Sequence, residues 1–513
     1  MISGSHIRFG LVLTASLIVG SLAALEVAGA TSAAPLITLG LAEHRSSSPQ
    51  GKKLDAKIAA NLASASLTAA QARKVKLSYS FSRSSKTFTY RLDRRVRAKW
   101  SMLRSVTHKG KLKGSHILTV RALFAGKAIS AGHYRLRLSA DGDSTTLGFE
   151  IIETIPLTGA TAVSAGGYMV CALLSGGTVD CWGFDAEGEL GNGRKIIVPP
   201  YGLPTATRVL RVTNATVLSA GGQHTCSLLA GTVDCWGFNG AGQLGNNTLV
   251  DSSIPVSATG LTTAVSVASG NYHSCALLSG GTVDCWGYNR QGQLGNGTWI
   301  PIVPIPRAVV GLTDVVSISA GGSHTCALLS DHTIKCWGED WVGEIGDGEN
   351  GWRLSPVPVN GITNAAQVSA GGFHTCALLQ GGTVDCWGFN LFGQLGNGTW
   401  VDSSVPAPVA GLKDVVSISA GGFHTCALLE SGAVNCWGNN DDGQLGNGSL
   451  AYSNMPTAVK GITNAIAVSA GLRYSCALLS SGKIKCWGAN KVGGLGDGTT
   501  LDSSVPVGVS VLK

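Results

Sequence analysis

The chain has 513 residues, of which 13% are charged, against roughly 25% in an ordinary soluble domain, and 71 are glycine. That composition excludes a coiled coil or a long helical array, and a hydrophobic content of 44% excludes wholesale disorder. The formal charge of +8 is divided unevenly: residues 1–155 carry 23 Lys and Arg against 8 Asp and Glu, residues 156–513 carry 15 against 22. The total therefore does not make the whole chain a nucleic-acid binder, and no nucleic-acid partner is expected.

In chain order, His6 and Arg8 precede an apolar run from Phe9 to Leu25, followed by the small residues Ala28-Gly29-Ala30. Residues 1–30 thus read as a signal peptide with its cleavage site or as an uncleaved N-terminal anchor, and both predict an exported, extracellular or cell-surface protein. An Ala/Ser-rich linker follows over residues 31–72. Over residues 73–155, alternation in KVKLSYSFS, KTFTYRLDRR, HILTVRAL, HYRLRLSAD and TLGFEII predicts strands separated by Gly-rich turns. They resemble the small immunoglobulin-like β-sandwich found beside cell-surface modules, without the Cys and Trp of a true immunoglobulin domain. Residues 73–137 hold 18 Lys and Arg and one acid, Asp93; alternation puts pairs such as Arg135 and Arg137 on one face. An anionic surface, such as a cell-wall polymer or lipid headgroups, is the expected contact of this domain.

From residue 156 to 513 one unit returns seven times. All 14 cysteines lie here as seven pairs: Cys171 and Cys181, Cys226 and Cys235, Cys275 and Cys285, Cys326 and Cys336, Cys376 and Cys386, Cys426 and Cys436, Cys476 and Cys486. The second cysteine advances by 54, 50, 51, 50, 50 and 50 residues. Each unit supplies four candidate strands, which in the fifth copy are QVSAG, HTCALL, TVDCWG and APVAG, so seven units predict a seven-bladed β-propeller in an all-β protein. Register arithmetic predicts the disulfides. If Cys171 opposes Cys181, then Leu173 opposes Val179 and Ser175-Gly176-Gly177 is left as the hairpin loop. The second unit is one residue shorter between its cysteines, yet pairing Cys226 with Cys235 only shortens the loop to Ala230-Gly231. A slip of one residue would have turned every side chain over. An even cysteine set behind an export segment reads as a disulfide framework.

The string around His374, Trp387-Gly388 and Gly393-Gln394-Leu395-Gly396 resembles the repeat of the regulator of chromosome condensation family. That resemblance covers residues about 160 to 513 and implies a seven-bladed propeller. It implies no single activity, because similar propellers serve as nuclear exchange factors, photoreceptors, enzyme inhibitors and scaffolds. The closer analogy is a secreted bacterial propeller that inhibits β-lactamases.

Residues present once per blade are expected to be structural: Trp182, Trp236, Trp286, Trp337, Trp387, Trp437 and Trp487 as packing between sheets, His224, His273, His324, His374 and His424 as core histidines rather than metal ligands. The Asn-Gly pairs at Asn296, Asn397 and Asn447 read as turns. No G-x-S-x-G, HExxH or P-loop occurs, and neither an enzyme nor a cofactor is expected. Where the repeats disagree, large aromatics and acids gather on three consecutive blades. Trp299, Trp341, Trp352, Phe392 and Trp400, with Glu339 and Asp340 as a charged rim, are the expected partner surface. The expectation is an exported, non-enzymatic protein-binding module for an extracellular protein or a cell-wall polymer. The alternatives are an inhibitor of a secreted enzyme, a carbohydrate-binding propeller and a guanine-nucleotide exchange factor.

Overall fold

The computed structural model describes residues 154–512 without a break and, ahead of them, only strand segments between residues 39 and 152. The export segment lies outside the described residues. In the amino-terminal region, Ser66–Thr68, Asp143–Ile152, Gly132–Ala140, Lys76–Val96 and Lys99–Thr119 form, in that spatial order, one five-stranded sheet. KVKLSYSFS and KTFTYRLDRR merge into the single strand Lys76–Val96, whose pairing with Lys99–Thr119 shifts register between Phe81 and Thr87. Beyond a two-residue pairing of Leu39–Gly40 with Ala59–Ala60, the described residues supply no second sheet. The described residues thus show one sheet where two were expected, and the side chains of Arg135 and Arg137 lie outside them.

From Ala160 to Gly508 the chain folds into seven four-stranded antiparallel sheets, each built from four consecutive strands. The first uses Ala160–Ala165, Met169–Leu174, Val179–Phe184 and Gly202–Arg208; the fifth uses Ala365–Ala370, His374–Leu379, Val384–Gly388 and Ser403–Pro408. The first strands of successive sheets meet around a closed circle, with Ala465–Ala470 of the seventh against Ala160–Ala165 of the first. This is a seven-bladed propeller. Each repeat completes its own blade, and the chain end adds the closure. Ser510–Leu512 runs parallel to Gly202–Arg208 and antiparallel to Thr154–Pro156 on the outer edge of blade one.

The central hairpins have the expected register. Cys171 opposes Cys181 and Leu173 opposes Val179; in blade two Cys226 opposes Cys235 and Leu229 opposes Thr232. The shortened loop has φ of +47° at Ala230 and +90° at Gly231, as a type I′ turn requires. All seven cysteine pairs are disulfides within one blade. They occupy the non-hydrogen-bonded positions of the hairpin, where Cα atoms approach closely, here to 4.1 Å for Cys376 and Cys386. The fourth strand lies earlier than expected: it is Ser403–Pro408, which shares Ala407 and Pro408 with APVAG. Val409 instead leaves the sheet and is buried beneath the turn to the next blade, and Pro406 and Pro408 sit on an edge strand that needs no outward N–H.

Blades adhere through three repeated contacts. Near the axis, Gly322 N–H donates to Gly371 O (2.9 Å), Gly372 to Gly421 O (2.9 Å), and the series closes with Leu472 donating to Gly166 O (3.2 Å). A Cβ on Gly322 would lie 2.3 Å from the carbonyl oxygen of Gly372, which is why these positions hold glycine. One layer out, Ser319 Oγ accepts the Ala370 N–H and Ser469 Oγ accepts the Ala165 N–H, each at 2.9 Å. Between sheets, each buried tryptophan packs on the disulfide of the preceding blade: Trp387 lies with Cys326, Cys336, Ile345 and Val359. Its indole N–H donates to Glu344 O at 2.9 Å, and Trp182 of blade one reaches Gly494 O of blade seven at 3.0 Å.

A disulfide closing a loop of this length contributes about 2–3 kcal/mol by the chain-entropy model. Replacing Cys376 and Cys386 together by Ala is therefore expected to lower the unfolding free energy by about 2–3 kcal/mol in urea melts, with the propeller still assembled.

Candidate partner-binding face

In an antiparallel blade the connection between strands one and two and that between strands three and four emerge on the same face. The short one is the Ala-Gly-Gly turn near the axis, and the long one is FNLFGQLGNGTWVD in blade five. The long loop is shaped by one buried amide. Asn390 Oδ1 accepts the Leu395 N–H (2.9 Å), and its Nδ2 donates to Thr399 O (3.2 Å) and Val401 O (3.0 Å). Gln394 Oε1 accepts the Phe392 N–H at 3.1 Å. Its main-chain oxygen takes both the Trp437 indole N–H and the Thr425 hydroxyl of the next blade, each at 2.9 Å. The repeat's Trp-Gly and Gly-Gln-Leu-Gly motifs are thus the two halves of one inter-blade joint. Asn397 accepts from Thr399 N–H (3.0 Å) and Oγ1–H (2.8 Å), the local turn expected at Asn-Gly.

The five histidines are buried under this face. Each Nε2 lies 2.8 Å from a hydroxyl of the next blade: His224 on Ser274, His273 on Thr325, His324 on Thr375, His374 on Thr425, His424 on Ser475. Thr425 spends its proton on Gln394 O, so it accepts from His374, which fixes the Nε2–H tautomer. Burial pushes the His374 pKa down to about 3. In the seventh blade Tyr474 takes the histidine position and donates across the closure to Met169 O at 2.7 Å and Gly166 O at 2.9 Å.

Blades one and four replace both loop amides by acids, Asp185 with Glu189 and Asp340 with Glu344. Asp340 Oδ1 still accepts the Ile345 N–H (3.1 Å), but Oδ2 faces no donor where Asn390 would present an N–H. Glu344 Oε2 accepts the Val342 N–H at 3.0 Å. Desolvation raises Asp340 to about 6 and Glu344 to about 7, with Asp347 and Glu339 respectively adding like charge and Arg353 opposing for Asp340. Asp340 was expected at the charged rim; it is fully buried and belongs to the loop's scaffold instead.

The remaining expected residues divide into two groups. Trp299, Trp341 and Trp352 are 52%, 64% and 40% exposed and touch: Trp352 lies 5.3 Å from Trp299 and 5.7 Å from Trp341 between ring centroids. Glu339 is half-buried, and burial raises its pKa. Phe392 belongs to a second cluster, with Phe389 (5.9 Å), Phe423 (5.4 Å) and Tyr452 (5.6 Å), and Phe373 stacks on Phe423 at 5.3 Å. Trp400 is exposed, with no ring contact to either group among the described residues. Phe373 and Phe423 were missed. Each precedes the repeat histidine, where other blades carry Tyr168, Gln223, Tyr272, Ser323 and Arg473, and that variability was the available signal.

A family model described as an RCC1-like domain matches residues 200–513. The chain belongs to the RCC1-like family. Among sequence relatives of this RCC1-like chain, the human probable E3 ubiquitin-protein ligase HERC3 is 32% identical over 203 residues, 38% of this chain and 19% of that protein. The Arabidopsis thaliana ultraviolet-B receptor UVR8 is 33% identical over 201 residues, 38% of this chain and 45% of the receptor. The match thus spans about a fifth of one relative and under half of the other. Among solved structures, human WBSCR16 superposes with a TM-score of 0.59 at 23% identity, covering 65% of this chain and 94% of its own. Prp20p of Saccharomyces cerevisiae gives 0.57 at 23% identity, covering 66% and 87%. Those two establish the fold alone.

The RCC1-like loop scaffold carries a pH dependence. A carboxyl whose folded pKa is raised contributes stability that is complete below its unfolded value near 4 and lost as pH rises through the folded value. Across pH 4–8, D340N/E344Q is therefore expected to melt higher than the parent at pH 8, by on the order of 2 kcal/mol, with the gain shrinking toward pH 4. The histidines act oppositely, since depressed groups lose their contribution as pH falls below about 6.5.

Proposed function

We propose that this RCC1-like protein is an exported, non-enzymatic binding module whose loop face receives a partner protein. The observation that carries this reading is the exposed, contiguous set Trp299, Trp352 and Trp341, since large rings in mutual contact at a surface are what a binding hot spot is made of. Seven disulfides and no free cysteine among the described residues favour an oxidising compartment outside the cytoplasm. The strongly perturbed groups, five histidines and two acid pairs, are buried among inter-blade bonds and loop scaffolding, which supports a non-enzymatic reading. The ligase and receptor activities named for the relatives belong to chains of which this one matches a minor part. Inhibition of a secreted enzyme is one form the same activity would take.

The test is capture of proteins from the extracellular fraction by the full chain. Wild type is expected to retain a defined partner that W299A/W341A/W352A loses by about tenfold at an unchanged melting temperature, a change of about 1.4 kcal/mol. Equal capture by both proteins would remove the loop face from the account. Exposed indoles also suit sugars, so a glycan array that lights up only for wild type would assign the face to carbohydrate.

A further inference from the structure

We propose that the indole platform of Trp299, Trp352 and Trp341, with Glu339 and Glu349 in the loop that carries two of its rings, receives an arginine- or lysine-bearing segment of a partner protein. This rests on the loop face being the partner surface and adds the partner's chemistry. The platform is built from positions where blade four departs from its neighbours. Trp341 stands where other blades have Ala186, Gly240, Arg290, Leu391, Asp441 and Lys491, and Trp352 replaces the loop aspartate seen as Asp251, Asp402 and Asp502. In blade five that aspartate is tied down, accepting the Asn390 N–H at 2.6 Å. Its loss in blade four frees the position to face solvent, and the loop is closed instead by Gly351 N–H donating to Asp340 O at 2.6 Å.

The loop that carries Trp341 and Trp352 is acidic. Glu349 has 81% of its side chain exposed, and Glu339, at the start of the same loop, is half-buried. The cation of this loop, Arg353, is committed: Nε to Asp347 at 2.7 Å, one terminal nitrogen to Glu349 at 3.1 Å and the other to Gly351 O at 3.1 Å, with 17% of its side chain exposed. Five acidic side chains against one guanidinium between Glu339 and Arg353 disfavour an anion. The indole faces attract a cation through their quadrupoles, and a guanidinium also stacks on them. Ring geometry argues against a sugar. The rings are inclined by 59° and 84° to one another, so they make facets that grip an inserted side chain rather than the flat shelf on which a pyranose lies.

The probe is a dye-labelled nona-arginine peptide, titrated against the full chain at 0.15 M salt by fluorescence anisotropy, with the isosteric, uncharged nona-citrulline peptide alongside. The arginine peptide is expected to bind at least about tenfold more tightly than the citrulline peptide. W341A/W352A is expected to lose about tenfold, E349Q about two- to threefold, and W400A, an exposed indole away from the platform, nothing. W341F/W352F, which keeps aromatic faces, is expected to recover part of the loss, a result that misfolding would not give. Equal binding of the two peptides, or unchanged binding by W341A/W352A, overturns the proposal, as does a chito-oligosaccharide that binds in place of the arginine peptide. If the tryptophan variants lose a captured extracellular partner while the arginine peptide fails to bind, the partner surface stands and its basic ligand falls.

Discussion

The joint between neighbouring blades governs the rest of the structure. An indole is laid against the preceding blade's disulfide, and its N–H is given to the carbonyl oxygen of that blade's long loop. Burial of a full indole carries a large apolar contribution, and its one polar atom would be costly to leave without an acceptor. The loop must therefore present a carbonyl at one place, which is what the Asn390 amide and Gln394 arrange in blade five. The same carbonyl takes the Thr425 hydroxyl, which in turn receives His374. Disulfide, tryptophan, glutamine loop, threonine and histidine are one device, copied around the circle and closed where Trp182 meets Gly494.

That device explains why surface variation is concentrated. Residues that make the joint are held by their bonds to the next blade, while those at the loop tip make none of those bonds. Trp341, Leu391 and Asp441 occupy the same loop place on blades four, five and six, and all are free to differ. Recognition is written on these tips, held still by the joint beneath them. Blades one and four relax the device itself, exchanging amides for buried acids and so linking the loop that carries Trp341 and Trp352 to proton concentration.

Much of this is readable from the sequence because a cross-strand disulfide fixes register. Once Cys226 opposes Cys235 despite the missing residue, the strands on either side are determined. The fourth strand was misplaced because a Pro-rich edge strand has no alternation, and the apolar Val409 drew the assignment toward the turn. Asp340 was misread because charge was taken as exposure. Alignment with Asn239, Asn289, Asn390, Asn440 and Asn490 reveals a position that is buried in every one of those copies. Phe373 and Phe423 were overlooked since they lie within the repeat motif, although their own place in it varies. Contact of Trp299 with Trp352 crosses from one blade to the next, and linear sequence carries no such distance.

The most direct measurement of the joint is hydrogen exchange at tryptophan indoles in a sample labelled at that residue. The chain has 12 tryptophans, and seven of them, Trp182, Trp236, Trp286, Trp337, Trp387, Trp437 and Trp487, donate across a blade boundary. Those seven N–H groups are expected to exchange together, at the rate of global unfolding, with Trp182 as slow as the others. A Trp182 indole exchanging with the exposed Trp299 and Trp400, while the other six stay protected, would mean that the circle is open and would contradict the account.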